Sequence, residues 1–288
     1  AGRAYLYYGG INVNTQPDVV FSGHSTNEYF GAAVSTAGAV NGDGYSDVTV
    51  STFGGWGDGI VYIYFGSIAM NNVEDVGLYE GASWTNYGTS ISDAGDVNGD
   101  GFGDVIVGAP YNASNSGEAY IYFGGSVLNN VVDVILNEGL ANNYFGACVS
   151  KAGDFNGDGF SDVIVGAYGY SSSVGRAYIY YGGSSMNITA DNVSLGFLIN
   201  EFYGYSVSDA GDFNGDGFSD VLIGGYGHSA SLGRAYLLYG GSIPDATVDV
   251  VFTGQNSGDE FGKSVSSAGD VNGDGYDAVI VGASNLCL

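Results

Sequence analysis

Acidic side chains recur in this chain at fixed spacing, in a nine-residue pattern D-x-N-G-D-G-x-x-D. The pattern is intact at Asp96–Asp104, Asp154–Asp162 and Asp212–Asp220, and degraded at Ala39–Asp47 and Asp270–Ala278. Side-chain oxygens at positions 1, 3, 5 and 9 and the carbonyl of position 7 are hard ligands, which Ca²⁺ prefers. Glycine at position 6 permits the sharp turn that brings these oxygens together. We therefore predict Ca²⁺ in the three intact loops.

Each intact loop supplies five ligands of the same kinds. The predicted ligands are Asp96, Asn98, Asp100, Phe102 and Asp104; Asp154, Asn156, Asp158, Phe160 and Asp162; and Asp212, Asn214, Asp216, Phe218 and Asp220. Weaker sites are predicted at Asn41, Asp43, Tyr45 and Asp47, and at Asp270, Asn272, Asp274 and Tyr276. In these two loops Ala39 and Ala278 replace the first and the last ligand, respectively.

Two other interpretations of the loops are hairpin turns without a metal and EF-hands. Asp-Gly and Asn-Gly also make good hairpin turns without any metal. Three intact copies keep their carboxylates in phase while the intervening residues vary, which favours the metal. An EF-hand is rejected because the last carboxylate stands at position 9 instead of 12 and strand-like segments flank the loop.

The loops mark an internal repeat. The five copies start at residues 39, 96, 154, 212 and 270, and each period reads as four short up-and-down strands. The third strand is the most uniform, at Gly2–Gly10, Gly59–Gly66, Gly117–Gly125, Gly175–Gly183 and Gly233–Gly241. A period above forty residues indicates a propeller or solenoid, and four-stranded units are the blades of a β-propeller.

We predict one all-β domain over residues 1–288, a five-bladed β-propeller of four-stranded antiparallel blades. Its blades are approximately 261–288 plus 1–24, 25–82, 83–140, 141–199 and 200–260. The N-terminal strand Ala1–Gly10 is predicted to pair with the strand ending at Ala283, which closes the ring inside one blade. A five-repeat excerpt of a longer array would show the same spacing, so that alternative stays open.

Composition excludes several classes of protein. The 31 acidic residues against five Lys and Arg give a formal charge of −26, so no basic stripe for nucleic acid can be assembled. A hydrophobic content of 45% excludes disorder. No apolar run approaches the length of a membrane span, so we predict no membrane insertion.

The chain offers little for catalysis. Its histidines, His24 and His228, lie in different repeats without Cys or His partners at ligand spacing, so a zinc site is not supported. Ser and Asp are so common that their presence near either histidine does not indicate a catalytic triad. Cys148 aligns with Ala33 and is interpreted as a small buried residue. We predict that the chain is not an enzyme.

The repeats resemble a known family. Phe-Gly recurs at Phe30-Gly31, Phe145-Gly146 and Phe261-Gly262, and Gly-Ala-Pro stands at Gly108–Pro110 after an acidic loop. This combination resembles the FG-GAP repeat of the integrin α-chain β-propeller. The resemblance implies Ca²⁺ between the first and second strands of a blade, an extracellular or cell-surface location, and ligand recognition on the face opposite the calcium loops. The integrin propeller has seven blades, against five repeats here.

Strands alternate in direction, so the loops from second to third strands lie on the face opposite the acidic loops. The loops from each fourth strand to the next first strand lie on that same opposite face. The aromatic residues predicted there as ligand-binding are Trp56, Trp84, Tyr111, Tyr168, Tyr170 and Tyr226. Exposed aromatic side chains are usual anchors of recognition surfaces. The alternative, that they pack together as a lid over the core, stays open.

The function predicted from the sequence is a calcium-stabilised extracellular β-propeller that binds a protein or glycan ligand. Two alternatives come from other classes: a structural subunit of a surface layer or extracellular filament, and an accessory domain of a larger secreted enzyme. Self-association of the chain is a further interaction that the sequence allows.

Overall fold

The computed structural model describes residues 1–11, 14–52, 59–81 and 84–285. Short strands dominate this part of the chain. Four sheets hold β3 Val34–Gly38, β4 Asp47–Ser51, β5 Val61–Tyr64 and β6 Val76–Leu78; β7 Ser90–Gly95, β8 Asp104–Ala109, β9 Glu118–Tyr122 and β10 Val134–Leu136; β11 Cys148–Gly153, β12 Asp162–Ala167, β13 Arg176–Tyr180 and β14 Asn192–Leu195; and β15 Ser206–Gly211, β16 Asp220–Gly225, β17 Arg234–Leu238 and β18 Val250–Thr253. Two further sheets hold β1 Arg3–Leu6 with β2 Val19–Ser22, and β19 Phe261–Gly269 with β20 Ala278–Ala283.

Each four-stranded sheet is antiparallel, and its strands lie in chain order from first to fourth. This confirms the up-and-down strands predicted for each repeat. Tight four-residue turns whose inner residues have positive φ lie in three of the connections between second and third strands, at Asn112–Asn115, Tyr170–Ser173 and His228–Ser231. The architecture is all-β and consistent with a propeller.

The core lies between neighbouring sheets. Strands β8, β12 and β16 are buried along their whole length, because both faces of these second strands are covered. One cluster joins Ile106 and Ile121 of one sheet to Val165 and Tyr178 of the next. Burial on both faces explains why these strands read as continuous apolar runs in the sequence.

The first strands of successive sheets pack against one another, in the order β3, β7, β11, β15 and β19. Serine side chains join them: Ser90 Oγ accepts the backbone N–H of Val149 at 2.9 Å, and Ser208 Oγ accepts that of Ser267 at 3.3 Å. The Cys148 sulfur takes the equivalent position, 3.3 Å from the backbone nitrogen of Val207. Polar side chains of the first strands therefore fix each sheet relative to its neighbour.

The predicted pairing of the N-terminal and C-terminal strands is wrong for this structure. In the described part of the chain, β1 pairs with β2 and β19 pairs with β20, in separate two-stranded sheets. Ile280 of β20 is 62% exposed, whereas Ile164 at the equivalent position of β12 is 0% exposed. Closure depends on the angle between successive sheets, which repeat spacing does not encode. The number of five blades stays a prediction.

Acidic loops and the aromatic face opposite them

The acidic loops join first to second strands, as predicted, and their carboxylates bind the backbone of the loop. Asp96 Oδ1 accepts the N–H of Gly99 at 2.7 Å, and its Oδ2 accepts that of Gly101 at 2.9 Å. Asp100 Oδ1 accepts the N–H of Phe102 at 3.0 Å. Related bonds hold the loops at Asp154, Asp212 and Asp270. The carboxylates at positions 1 and 5 thus stabilise the turn through hydrogen bonds within the loop.

The ninth position of each loop has a second function in the fold. Asp104 is fully buried; its Oδ2 accepts the N–H of Val97 and its Oδ1 that of Gly124, both at 2.8 Å. Gly124 lies after the third strand, so this carboxylate ties the loop to the turn beyond that strand. Asp47, Asp162 and Asp220 make the same pair of bonds.

Burial makes the ionised form of these carboxylates costly. Desolvation raises the pKa of Asp104 and of Asp162 to about 7, and that of Asp220 to about 6, against the lowering effect of their backbone hydrogen bonds. The neighbouring Asp100 and Asp96 raise the pKa of Asp104 further. A divalent cation beside each loop would relieve this repulsion, and the all-oxygen donor set suits Ca²⁺.

The carboxylates are not gathered into a compact cluster. Over the described ranges, no three Asp, Glu, His or Cys side chains are close enough together to hold a metal ion. The carboxylates at positions 1 and 9 each face backbone N–H groups, as Asp96 and Asp104 show. In the degraded loops, Asn41 and Asp43 keep the inner bonds, and the N–H of Gly275 is the main cause of a lowered pKa at Asp270. The donor chemistry fits calcium, and binding stays a prediction.

Neighbouring loops also contact one another. The N–H of Ser161 donates to the carbonyl of Asp96 at 3.0 Å, and the N–H of Ser219 donates to that of Asp154 at 3.2 Å. A methyl group added at Gly99 would lie 2.4 Å from the ring of Phe160 in the next loop. The aromatic residue at position 7 therefore packs on the glycine at position 4 of the preceding loop, which makes a continuous acidic face.

Aromatic rings meet at the opposite ends of the strands. Tyr144 stacks on Tyr168, with ring centroids 5.0 Å apart and 4° between the ring planes. Phe202 stacks on Tyr226 in the same way, at 4.9 Å and 8°. Tyr205 joins the two pairs, 5.4 Å from Tyr168 and 4.7 Å from Tyr226. The structure thus brings together two tyrosines predicted for this face and three rings that sequence reasoning missed.

Two of the three missed rings occupy backbone positions that ordinary residues avoid. Tyr144 and Phe202 have φ of 54° and 56°, in the left-handed region, where a bulky side chain is strained. Each precedes the Phe-Gly or Tyr-Gly dipeptide of its repeat, where Tyr29 also has a φ of 51°. The signal in the sequence was this fixed offset from the dipeptide. Asn86 and Glu260 have φ of 55° and 56° at the same position of the two other repeats, so the positive φ belongs to the turn of every repeat.

A cavity of 490 Å³ opens beside these rings, where the first strands of four sheets converge. Pro110, Tyr111, Tyr168, Tyr205 and Lys263 line it, together with serines of the first strands. Tyr111 is 40% exposed, and its ring lies 5.5 Å from that of Tyr144. The Lys263 ammonium lies 5.5 Å from the centroid of the Tyr226 ring and binds Glu260 at 2.5 Å. The cavity is therefore walled by aromatic rings with one cation at its edge.

Two predicted residues of this face lie elsewhere, and one cannot be placed. The Tyr170 ring packs under the guanidinium of Arg176, 3.5 Å from its carbon, outside the stacked rings. Trp84 lies on the surface and is 62% exposed. Trp56 falls outside the described residues.

Beneath the aromatic face, the loops between fourth and first strands bury carboxylates. Glu201 is fully buried; it accepts hydrogen bonds from the N–H of Leu198 at 2.7 Å and from the hydroxyl of Tyr236. The His228 Nδ1 lies 3.0 Å from the same carboxylate. Glu138 and Tyr180 form a comparable pair at 3.0 Å. His228, which the sequence left unassigned, thus anchors a loop.

Comparison with known proteins adds to these observations. The FG-GAP repeat family matches residues 88–122, 149–180 and 203–238, each of which contains one intact acidic loop. Among the described residues, no helix has the length and apolar character needed to cross a membrane.

Curated relatives are integrin α chains. The chain is 30% identical to integrin alpha-2 of Mus musculus over 73% of its own length and 19% of the relative. It is 32% identical to integrin alpha-5 of Xenopus laevis over 68% and 20%, and 32% identical to integrin alpha-6 of Homo sapiens over 49% and 12%. It thus spans a fifth or less of the length of these relatives. The three FG-GAP repeats and these similarities support an FG-GAP propeller that resembles those of the integrin α chains.

Proposed function

We propose that this chain is a calcium-stabilised binding module of the cell surface or extracellular space, related to adhesion. It acts by binding, without catalysis, and its ligand is a protein or a glycan. The ligand occupies the aromatic face, at the strand ends opposite the acidic loops. Similarity to integrin α chains over most of the chain supports the adhesion class.

One observation carries the choice of face. Two stacked aromatic pairs, Tyr144 with Tyr168 and Phe202 with Tyr226, stand beside the 490 Å³ cavity. Preorganised rings bind with little loss of side-chain entropy, as recognition surfaces require.

Calcium has a structural role in this proposal. Asp96, Asn98, Asp100 and the carbonyl of Phe102 would hold the ion in one loop, and the two other intact loops are alike. When bound, the ion supplies positive charge against the converging carboxylates. Asp104 stays tied to Val97 and Gly124, so it couples the loop to its sheet.

The proposal is tested by binding to a glycan array and to immobilised extracellular-matrix proteins in calcium buffer. For any probe that binds, Tyr111→Ala and Tyr168→Ala, at two residues that line the cavity, should weaken binding about thirtyfold each, the effect of losing about 2 kcal/mol at an aromatic anchor. The matched control is Ile68→Ala, which removes an exposed apolar side chain from the turn between third and fourth strands. Normal binding by both aromatic variants, with loss of binding in the control, would overturn the choice of face.

A further inference from the structure

The five loops that precede the Phe-Gly or Tyr-Gly dipeptides carry a carboxylate at one of two positions. The early position lies seven residues before the aromatic residue of the dipeptide, and the late position lies two residues before it. Two loops have glutamate early and a neutral residue late, as Glu80 with Thr85 and Glu138 with Asn143. The other three have glycine early and an acid late, as Gly23 with Glu28, Gly196 with Glu201 and Gly254 with Asp259. No loop has an acid at both positions, and none lacks one.

A late acid binds both its own loop and the third strand of the sheet. Glu201 Oε2 accepts the N–H of Phe197 at 2.5 Å and that of Leu198 at 2.7 Å, and its Oε1 accepts the hydroxyl of Tyr236. Glu28 makes the same kinds of bond, to two N–H groups of its loop at 2.7 Å and to a tyrosine hydroxyl of the third strand at 3.3 Å. The late carboxylate therefore ties the loop to the sheet beneath it.

An early acid also contacts the third strand. Glu138 Oε1 accepts the hydroxyl of Tyr180 in β13 at 3.0 Å. Burial, then Glu118 and then Glu80 raise the pKa of the Tyr120 hydroxyl in β9, so Glu80 also lies beside a tyrosine of the third strand. Early and late carboxylates thus approach the same strand of their sheets, although they start five residues apart in the loop.

The space beneath each loop has room for one of the two side chains. A methyl group added at Gly23 would lie 3.0 Å from Glu28 Oε2, so the early position points at the late carboxylate. One added at Gly196 would lie 2.3 Å from the carbonyl oxygen of Val174, which excludes a side chain there. Where the early residue is the acid, the late Asn143 is 1% exposed, and its amide atoms have no hydrogen-bond partner among the described residues.

We propose that each loop needs one carboxylate beneath it, that either position can supply it, and that it positions the residue after the late position. In two loops that residue is a ring of the aromatic face: Tyr144, stacked on Tyr168, and Phe202, stacked on Tyr226. Without a carboxylate, polar groups under the loop lose their acceptor, and two carboxylates would repel each other. The consequence for ligand recognition rests on the proposed function, whereas the exchange of positions does not.

Thermal unfolding of an exchanged loop tests the proposal. Glu138→Gly should lower the Tm by about 4 °C, because the Tyr180 hydroxyl loses its acceptor. Asn143→Glu should also lower the Tm, because it adds a second carboxylate to the same space. In the Asn143→Glu chain, however, Glu138→Gly should raise the Tm, since one carboxylate then remains. Gly139, with a φ of 64°, allows this exchange because glycine can take the backbone of either kind of loop.

The matched control is Asn130→Glu, the same substitution at an exposed asparagine, which should leave the effect of Glu138→Gly unchanged. If the double variant melts below Asn143→Glu, or if Asn130→Glu rescues Glu138→Gly equally well, the exchange is overturned. The first comparison decides even where Glu138→Gly alone fails to fold.

Near-ultraviolet circular dichroism tests the positioning of the ring, at a temperature where the compared variants are folded. The change in signal caused by Tyr144→Ala measures the stacked pair of Tyr144 and Tyr168. This change should be smaller in the Glu138→Gly chain and return to its full size in the Glu138→Gly, Asn143→Glu chain. A change of full size in the Glu138→Gly chain would overturn the positioning role. None of these measurements uses a ligand, so a failure to bind any probe would count against the proposed function alone.

Discussion

Two aspartates of one acidic loop should contribute differently to the stability of the fold, and this difference can be measured. Asp162 is buried and accepts the N–H of Phe155 at 2.9 Å and that of Gly182 at 2.8 Å. Asp158 is exposed and accepts only the N–H groups of its own loop, with Phe160 at 3.0 Å. We expect Asp162→Ala to destabilise the fold with or without calcium, and Asp158→Ala to do so only with calcium.

The magnitudes follow from these contacts. Asp162→Ala leaves the backbone N–H groups of Phe155, Asn156 and Gly182 without their acceptor, at about 1–3 kcal/mol for each group that stays unpaired. Relief of the buried charge, whose pKa is raised to about 7, offsets part of this loss. The net loss should be about 3 kcal/mol, or roughly 6–9 °C in Tm for a chain of this size. Asp158→Ala should cost less than about 0.5 kcal/mol in chelator, and about 1.4 kcal/mol in calcium at ten times the dissociation constant.

The assay is thermal unfolding followed by circular dichroism, in excess calcium and in excess chelator. The unmodified chain should melt at a lower temperature in chelator. Ala39→Asp, which restores the first ligand of a degraded loop, should raise the Tm in calcium and leave it unchanged in chelator. If Asp158→Ala lowers the Tm equally in both buffers, the loops are turns that bind no metal. If Asp162→Ala is silent in chelator, its hydrogen bonds contribute nothing and our account of position 9 is wrong.

Two further predictions concern packing. Gly99→Ala should destabilise the chain by about 2 kcal/mol more than Gly101→Ala in chemical denaturation. Both glycines have positive φ, but only a methyl group at Gly99 would meet the Phe160 ring, at 2.4 Å. Equal losses would mean that the loops do not pack on one another. Glu201→Ala should cost about 3 kcal/mol in the same assay, because it leaves the N–H of Leu198 and the side chains of His228 and Tyr236 without their acceptor. The surface pair of Glu74 with His24, at 3.4 Å, is its control, and Glu74→Ala should cost less than about 1 kcal/mol. Similar effects of Glu201→Ala and Glu74→Ala would contradict the role of burial.

Local pattern was enough to predict the strands and the acidic hairpins. Alternating and continuous apolar residues set strand and burial, as in Val163–Val165 of β12, because side-chain period and backbone hydrogen bonding act over a few residues. The loop at Asp154 is equally local, since its carboxylates bind N–H groups within five residues. For the same reason the repeat family could be identified from Phe145-Gly146 and its counterparts.

Contacts between distant residues were decided only by the tertiary structure. Asp162 accepts the N–H of Gly182 across the sheet. The sequence predicted Asp162 only as a metal ligand, and the structure shows that it is also a buried hydrogen-bond acceptor. Tyr144 meets Tyr168 because its backbone takes a positive φ, which no propensity for tyrosine predicts. That β1 and β20 lie in separate sheets was likewise visible only in the structure, because repeat spacing does not encode how the sheets pack. The spacing of the motifs gives the number of residues in a repeat. The rotation from one sheet to the next depends on side-chain packing between sheets, which the spacing does not encode.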